Sequence, residues 1–182
     1  YEQFEKAEGD HSAREVLPEW EKKYLSSKAL LNDRKAITNR ISFNRLATPP
    51  TKSLVEISQI NAWNKWIRYE FGNPCNLDEE KLKEMMKMVF EMCLCSFRHH
   101  AEVWLSYANF VVEGKDSSFA RKVLDDAIET IPGVGVLRFA LAEILELEDN
   151  IDMARHTLKQ AYEQVPSGLT FSVFQRFIRR HD

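Results

Sequence analysis

The sequence predicts an all-α fold, an α-solenoid of antiparallel helix pairs with one long helix near the N-terminus. Three observations predict it. Aromatic residues recur at i, i+3 spacing along the chain, aliphatic segments of helical periodicity fall between them, and the aliphatic segments repeat at a constant step of 34 residues. Only 6 Gly and 6 Pro in 182 residues leave little room for the hairpin turns of a β-rich fold.

The aromatic helices are read at Trp63-x-x-Trp66, Trp104-x-x-Tyr107, Val136-x-x-Phe139 and Phe171-x-x-Phe174. The i, i+3 spacing puts each pair on one face, and stacked repeats must bury that face against neighbours. Base stacking by these rings is the weaker reading for the same reason. The aliphatic helices are read at Val89–Leu94, Ala120–Ile128 and Ala154–Tyr162. Val89, Val123 and Thr157 are each 34 apart, as are Ala127 and Ala161, and Pro132 and Pro166. The expected repeat core is therefore Trp63, Trp66, Trp104, Tyr107, Phe139, Ala127, Ala161, Pro132 and Pro166, the two prolines also closing their units.

The aromatic helices step less evenly, by 41, 32 and 35 residues from Trp66 to Tyr107 to Phe139 to Phe174, which assigns insertions to the loops between helices. One such loop, Gly72–Asp78, reads as a helix stop, a turn and an N-cap. Residues 1–46 read as a partial repeat carrying Tyr1 and Phe4 and then a long basic helix from about Glu19 to Leu46, with Pro18 at a boundary or a kink. Residues 47–60 read as a proline-containing linker. The rest reads as repeats at 61–100, 101–133 and 134–167 and a partial one at 168–182. An aromatic pattern at each end makes a longer protein the expectation.

The net charge of -3 gives no general affinity for nucleic acid, so such binding needs a local patch. From Lys22 to Lys52 there are eight Lys or Arg against one acid, Asp33. Lys28, Arg34, Lys35, Arg40 and Arg45 are accordingly candidates for contact with RNA or with an acidic partner, against the alternative of a solvated helix face. Glu143, Glu146, Glu148, Asp149 and Asp152 form a complementary acidic cluster that competes for them. Arg121 and Arg155 recur at equivalent positions and are expected to cover apolar surface and pair with a neighbouring acid.

No catalytic motif is present. A phosphate loop, a G-x-S-x-G elbow and H-E-x-x-H are all missing, and Pro132-Gly133-Val134-Gly135 follows a helix rather than a strand. His99 and His100 are adjacent and so diverge, which makes a poor metal site. No enzyme activity, cofactor or metal is expected. Cys75, Cys93 and Cys95 are odd in number and form no C-x-x-C pair, so a reducing compartment is expected and Cys93 is a core residue. No apolar stretch approaches the roughly 18 to 20 residues of a membrane span.

The alternation W-x-x-[YW]-[AI] with A-R-x-[VI]-[LF]-[ED]-x-A-[LI], closed by proline, resembles the half-a-TPR (HAT) repeat. Ala120/Arg121/Pro132 and Ala154/Arg155/Pro166 carry the second half. The first full unit lacks the Ala-Arg start, and Cys93 replaces the usual alanine. The order of an aromatic helix, a long basic helix and a proline-containing linker, then Trp63, Lys65, Trp66, Tyr69, Asn73 and Pro74, then His99, His100 and Trp104, is similar to the family of large HAT-repeat scaffold subunits of cleavage stimulation factor.

That resemblance implies a nuclear, non-catalytic, homodimeric scaffold in messenger-RNA 3′-end cleavage and polyadenylation. Its implied partners are other subunits of that machinery: an RNA-binding subunit, a WD-repeat subunit and a polyadenylation specificity factor. The alternative is a HAT scaffold of the spliceosome or of ribosomal RNA maturation. Independently of family, a terminal hairpin with an exposed apolar face needs a cap or partner, and Leu169, Phe171, Phe174, Phe177 and Ile178 are the candidate interface.

Overall fold

The computed structural model describes residues 10–181, in which eight α-helices and no strand are found. The described residues divide into two compact units, 10–42 with 54–82 and 43–53 with 83–181.

The first unit pairs α1 (Asp10–Thr38) with α2 (Leu54–Phe71). Both differ from expectation at one end. The basic helix ends at Thr38 rather than near Leu46, although no glycine or proline stops it. The Thr38 hydroxyl donates back to the Arg34 carbonyl at 2.9 Å, and the chain then turns with Ile41 N–H on the Thr38 carbonyl at 2.9 Å. The Gln59 amide takes up the next free backbone groups, accepting from Ser42 N at 2.8 Å and donating to the Arg40 carbonyl at 3.1 Å. A side chain 17 to 19 residues away thus satisfies the turn, a stop that local sequence does not show. In the same way α2 begins at Leu54, inside the stretch read as linker. Pro18 lies within α1, and Tyr1 and Phe4 lie outside the described residues.

After α2 the chain turns through Asn73 and Asn76, both at positive φ (50° and 48°), a conformation asparagine tolerates. The Asn73 side chain bridges the turn, accepting from Leu77 N and donating to Leu77 O, each at 2.8 Å. Asp78 caps α3 (Glu79–Phe97) by accepting from Lys81 N at 3.0 Å, as the sequence predicts.

The second unit holds most of α3, then α4 (Ala101–Glu113), α5 (Ser117–Thr130), α6 (Gly135–Leu147), α7 (Ile151–Gln164) and α8 (Gly168–His181). The 34-residue step is stricter here than the aromatic pattern suggests. Starts and ends of α4 and α6 are 34 apart, and so are those of α5 and α7. Caps repeat as well. Gly114, Lys115 and Asp116 N–H groups bond to Phe110, Val112 and Val111 carbonyls, and Glu148, Asp149 and Asn150 repeat the set on Ile144, Glu146 and Leu145. This is the Schellman arrangement, and it places Lys115 (φ 61°) and Asp149 (φ 59°) in the left-handed region. Glycine there avoids the Cβ clash, so Asp149→Gly is expected to stabilise the protein by up to about 1 kcal/mol, read as a rise in the denaturation midpoint.

Burial follows the same period. Met86, Ala120 and Ala154 form one column at 0% exposure; Phe90, Leu124 and Leu158, and Cys93, Ala127 and Ala161, form two more, all buried. In the partner helices Val103, Tyr107, Ala108 and Val111 recur as Leu137, Leu141, Ala142 and Leu145. Thr157 keeps the column of Val89 and Val123 by donating its hydroxyl to Met153 O at 2.9 Å.

This register corrects two expectations. Phe139 is only half-buried, because the column of Tyr107 continues at Leu141, 34 residues on, and not at Phe139, 32 residues on. Pro132 and Pro166 are exposed. They hold Ile131 and Val165 in matching non-helical conformations (φ −134°, ψ 67° and φ −131°, ψ 68°) and so end α5 and α7 rather than fill the core.

Candidate protein-interaction surfaces

Trp63 (1% exposed) and Trp66 (6%) are buried in α2 with ring centroids 5.3 Å apart. Trp104 and Tyr107 are buried in α4, where Tyr107 stacks on Phe90 at 5.0 Å and meets Phe119 edge-on at 6.0 Å. None of the four offers a free face for base stacking.

The basic helix is divided in use. Arg34 makes a two-pronged ion pair with Glu70, Nε to Oε1 at 2.6 Å and Nη2 to Oε2 at 2.8 Å, and Glu70 Oε1 also accepts from Trp66 Nε1 at 2.8 Å. Glu70 is 2% exposed, and its hydrogen bonds hold the Arg34 guanidinium well above its ordinary pKa. Arg34 therefore serves the first unit and is not offered to a partner. Arg45 is half-buried with its guanidinium 5.3 Å from the Phe97 ring centre. Lys28, Lys35 and Arg40 are exposed. Lys28 lies over Tyr24 and Lys23 over Trp20, at 5.6 and 5.3 Å, with both rings exposed.

The acidic cluster is in part engaged internally. Glu148 pairs with Arg121 at 3.2 Å, and Glu146 accepts from Arg180 at 2.9 Å and bonds His181 at 2.6 Å. Arg155 lies 6.0 Å from the Phe177 ring centre. At the C-terminal end the five candidate interface residues separate. Phe177 is fully buried, flanked by Arg155, Arg180 and His181, and so belongs to the core rather than to a surface. Phe174 and Ile178 are half-buried; Leu169 (66%) and Phe171 (48%) are exposed.

Two grooves went unread in the sequence. The first, about 520 Å³, is lined by α3, α4 and α5; the second, about 330 Å³, by α5, α6 and α7. They are one groove repeated. Glu91, Leu94, Phe119 and Lys122 of the first are replaced 34 residues later by Asp125, Ile128, Met153 and His156. In the first groove Trp104 donates Nε1–H to the Arg98 carbonyl at 2.7 Å; in the second Arg138 occupies the Trp104 position and donates Nη1–H to the Pro132 carbonyl at 2.8 Å. Donor and acceptor are six residues apart in both. Carrying the 34-residue step onto the aromatic helices would have placed Arg138 under Trp104.

His100 is buried against Phe97, their ring centres 5.0 Å apart, with Nδ1 at 3.3 Å from Glu102. Among the described residues no three His, Cys, Asp or Glu converge on a metal site, and no helix is long and apolar enough to cross a membrane. Burial pushes the Cys93 thiol up to about 12, while Cys95 is exposed and Cys75 half-buried. A thiol reagent at pH 8 is expected to modify Cys95 in the native protein and to reach Cys93 only on unfolding, which a peptide map of the labelled chain checks.

Comparison with known proteins places these features in a family. The profile described as Suppressor of forked protein (Suf) matches residues 1–173. "Cleavage stimulation factor subunit 77" of Arabidopsis thaliana is 32% identical over 184 residues, covering 99% of this chain and 24% of that protein. "mRNA 3'-end-processing protein RNA14" of Eremothecium gossypii is 27% identical, covering 93% of this chain and 26% of that protein, and its Saccharomyces cerevisiae counterpart is 25% identical, covering 93% and 27%. The chain thus spans about a quarter of the length of these relatives. The strict helical period and a profile match running through all but the last nine residues have one reading: the chain belongs to the Suppressor of forked family of HAT-repeat proteins.

Proposed function

We propose that the chain is a non-catalytic, protein-binding scaffold segment that acts in the nucleus in messenger-RNA 3′-end processing, holding other subunits of the cleavage and polyadenylation machinery. Family membership carries this reading, since the relatives named above are 3′-end-processing proteins. Repeat architecture supports it: helix pairs in register present surfaces that no single helix could hold rigid. In this reading the repeats at 61–100, 101–133 and 134–167 and the half at 168–182 are the units of the scaffold. The chain also homodimerises, with exposed Leu169 and Phe171 as its contact.

Direct RNA binding has less to stand on, because Arg34 and Arg45 are engaged within the protein and Lys28, Lys35 and Arg40 remain. The tagged chain is expected to retain 3′-end-processing subunits from nuclear extract at salt concentrations that remove a labelled RNA. Retention of RNA alone would overturn the scaffold reading. Light scattering across a concentration series tests the dimer, with Phe171→Asp expected to leave a monomer; a wild-type chain that stays monomeric throughout removes that part of the proposal.

A further inference from the structure

The second groove contains a buried positive charge without a counter-ion. Arg138 is 4% exposed, and its guanidinium donates to two neutral oxygens, Pro132 O and Gln164 Oε1. Among the described residues no carboxylate lies within ion-pair distance of it. Burying a charge costs several kcal/mol unless it is paired. The oxygens it meets lie at or just beyond the C-terminal ends of α5 and α7, where helix dipoles offer partial negative charge but no net anion. Burial alone lowers the pKa of Arg138.

Packing does not require this charge. One repeat earlier Trp104 fills the same position and makes the same kind of bond, six residues back, without carrying a charge. The surroundings change in step with it. Tyr107 and Phe119 of the first groove become Leu141 and Met153 in the second, so its floor is aliphatic, and Arg121, Lys122 and His156 stand around it. Among the described residues Asp125 is the one acid lining it, its carboxyl pKa raised by partial desolvation and by the neighbouring Asp126.

We propose that this groove binds an acidic peptide segment of a protein partner, a Glu or Asp carboxylate pairing with Arg138 while an adjacent aliphatic side chain rests on Leu141 and Leu145. Charge complementarity selects the carboxylate. An aliphatic floor with no aromatic platform selects peptide over single-stranded nucleic acid, whose bases need rings to stack on. The inference deepens the scaffold reading by naming the class of partner, and it rests on that reading for its biological sense. Its test is separate, because direct binding of a defined peptide needs no nuclear extract.

The probe is a fluorescein-labelled peptide of alternating Glu and Leu, measured by anisotropy against the whole 182-residue chain, beside the same peptide with Gln for Glu. About tenfold tighter binding of the Glu peptide is expected. Arg138→Trp, which installs the residue of the preceding repeat, is expected to abolish that preference. Lys122→Glu, at an exposed position that leaves the core untouched, is expected to weaken binding about fivefold or more, and decides the matter if Arg138→Trp does not fold. A decamer of uridine should not displace the peptide. Equal binding of the Gln peptide, no measurable binding of the Glu peptide, displacement by the uridine decamer, or indifference to both substitutions would each overturn the proposal.

Discussion

Trp104→Ala is expected to cost the second unit about 3 to 5 kcal/mol, the range for removing a large aromatic side chain from a core. Trp104 is 8% exposed and its indole N–H satisfies the Arg98 carbonyl at 2.7 Å. Removing it leaves a cavity and takes away that carbonyl's donor. For a unit of this size each kcal/mol shifts the melting temperature by roughly 4 to 8 °C, so a fall of more than about 12 °C is expected by circular dichroism. Trp104→Phe keeps most of the volume and loses the hydrogen bond, and should cost about 1 to 2 kcal/mol. A Trp104→Ala chain melting within about 2 °C of the parent would mean that the aromatic pair does not hold the repeat together.

Arg34→Met is expected to destabilise the first unit by about 3 kcal/mol or more, because it strands the Glu70 carboxylate in the interior with Trp66 Nε1 as its one remaining partner among those described above. Arg34 is 29% exposed at its side chain and Glu70 2%, so solvent screens the pair little. Glu70 occupies the place that Val111 and Leu145 hold in the later helices, and the double substitution Arg34→Met/Glu70→Leu is therefore expected to recover all but about 1 kcal/mol. Trp20, Trp63 and Trp66 lie in this unit and Trp104 in the other, so tryptophan emission follows chiefly its unfolding. Additive losses in the double-mutant cycle, with no coupling, would show that the pair is a surface contact of little weight.

What the sequence makes legible follows from what repeats. Ala127 and Ala161 are fully buried, and the residue type and the constant step both say so. Arg138 is illegible by residue type, since an arginine in a charged sequence looks like a solvated one; only the step applied to Trp104 exposes it. Phe139 misleads for the converse reason, as an aromatic residue at nearly the right spacing draws the register two residues away. The end of α1 at Thr38 is invisible to any local rule, because the groups that satisfy its turn come from Gln59. Phe177 reads as a surface residue only while α8 is taken as a half-repeat with nothing on its inner side. In the fold that side faces Arg155, and the ring is fully buried.

The helix contacts of the second unit run mostly between neighbours in the chain, with lesser ones two helices on, as between α4 and α6 and, through Glu146 and Arg180, between α6 and α8. Little chain must be looped to make any of them, so ordering should begin within a single helix pair and spread outward one repeat at a time. The exchange of Trp104 for Arg138 then gives that spreading a direction. A pair built on an indole gains its burial at once, whereas a pair built on a buried guanidinium must first give up hydration. Folding of this unit is expected to start around α4 and α5 and to reach α6 and α7 second.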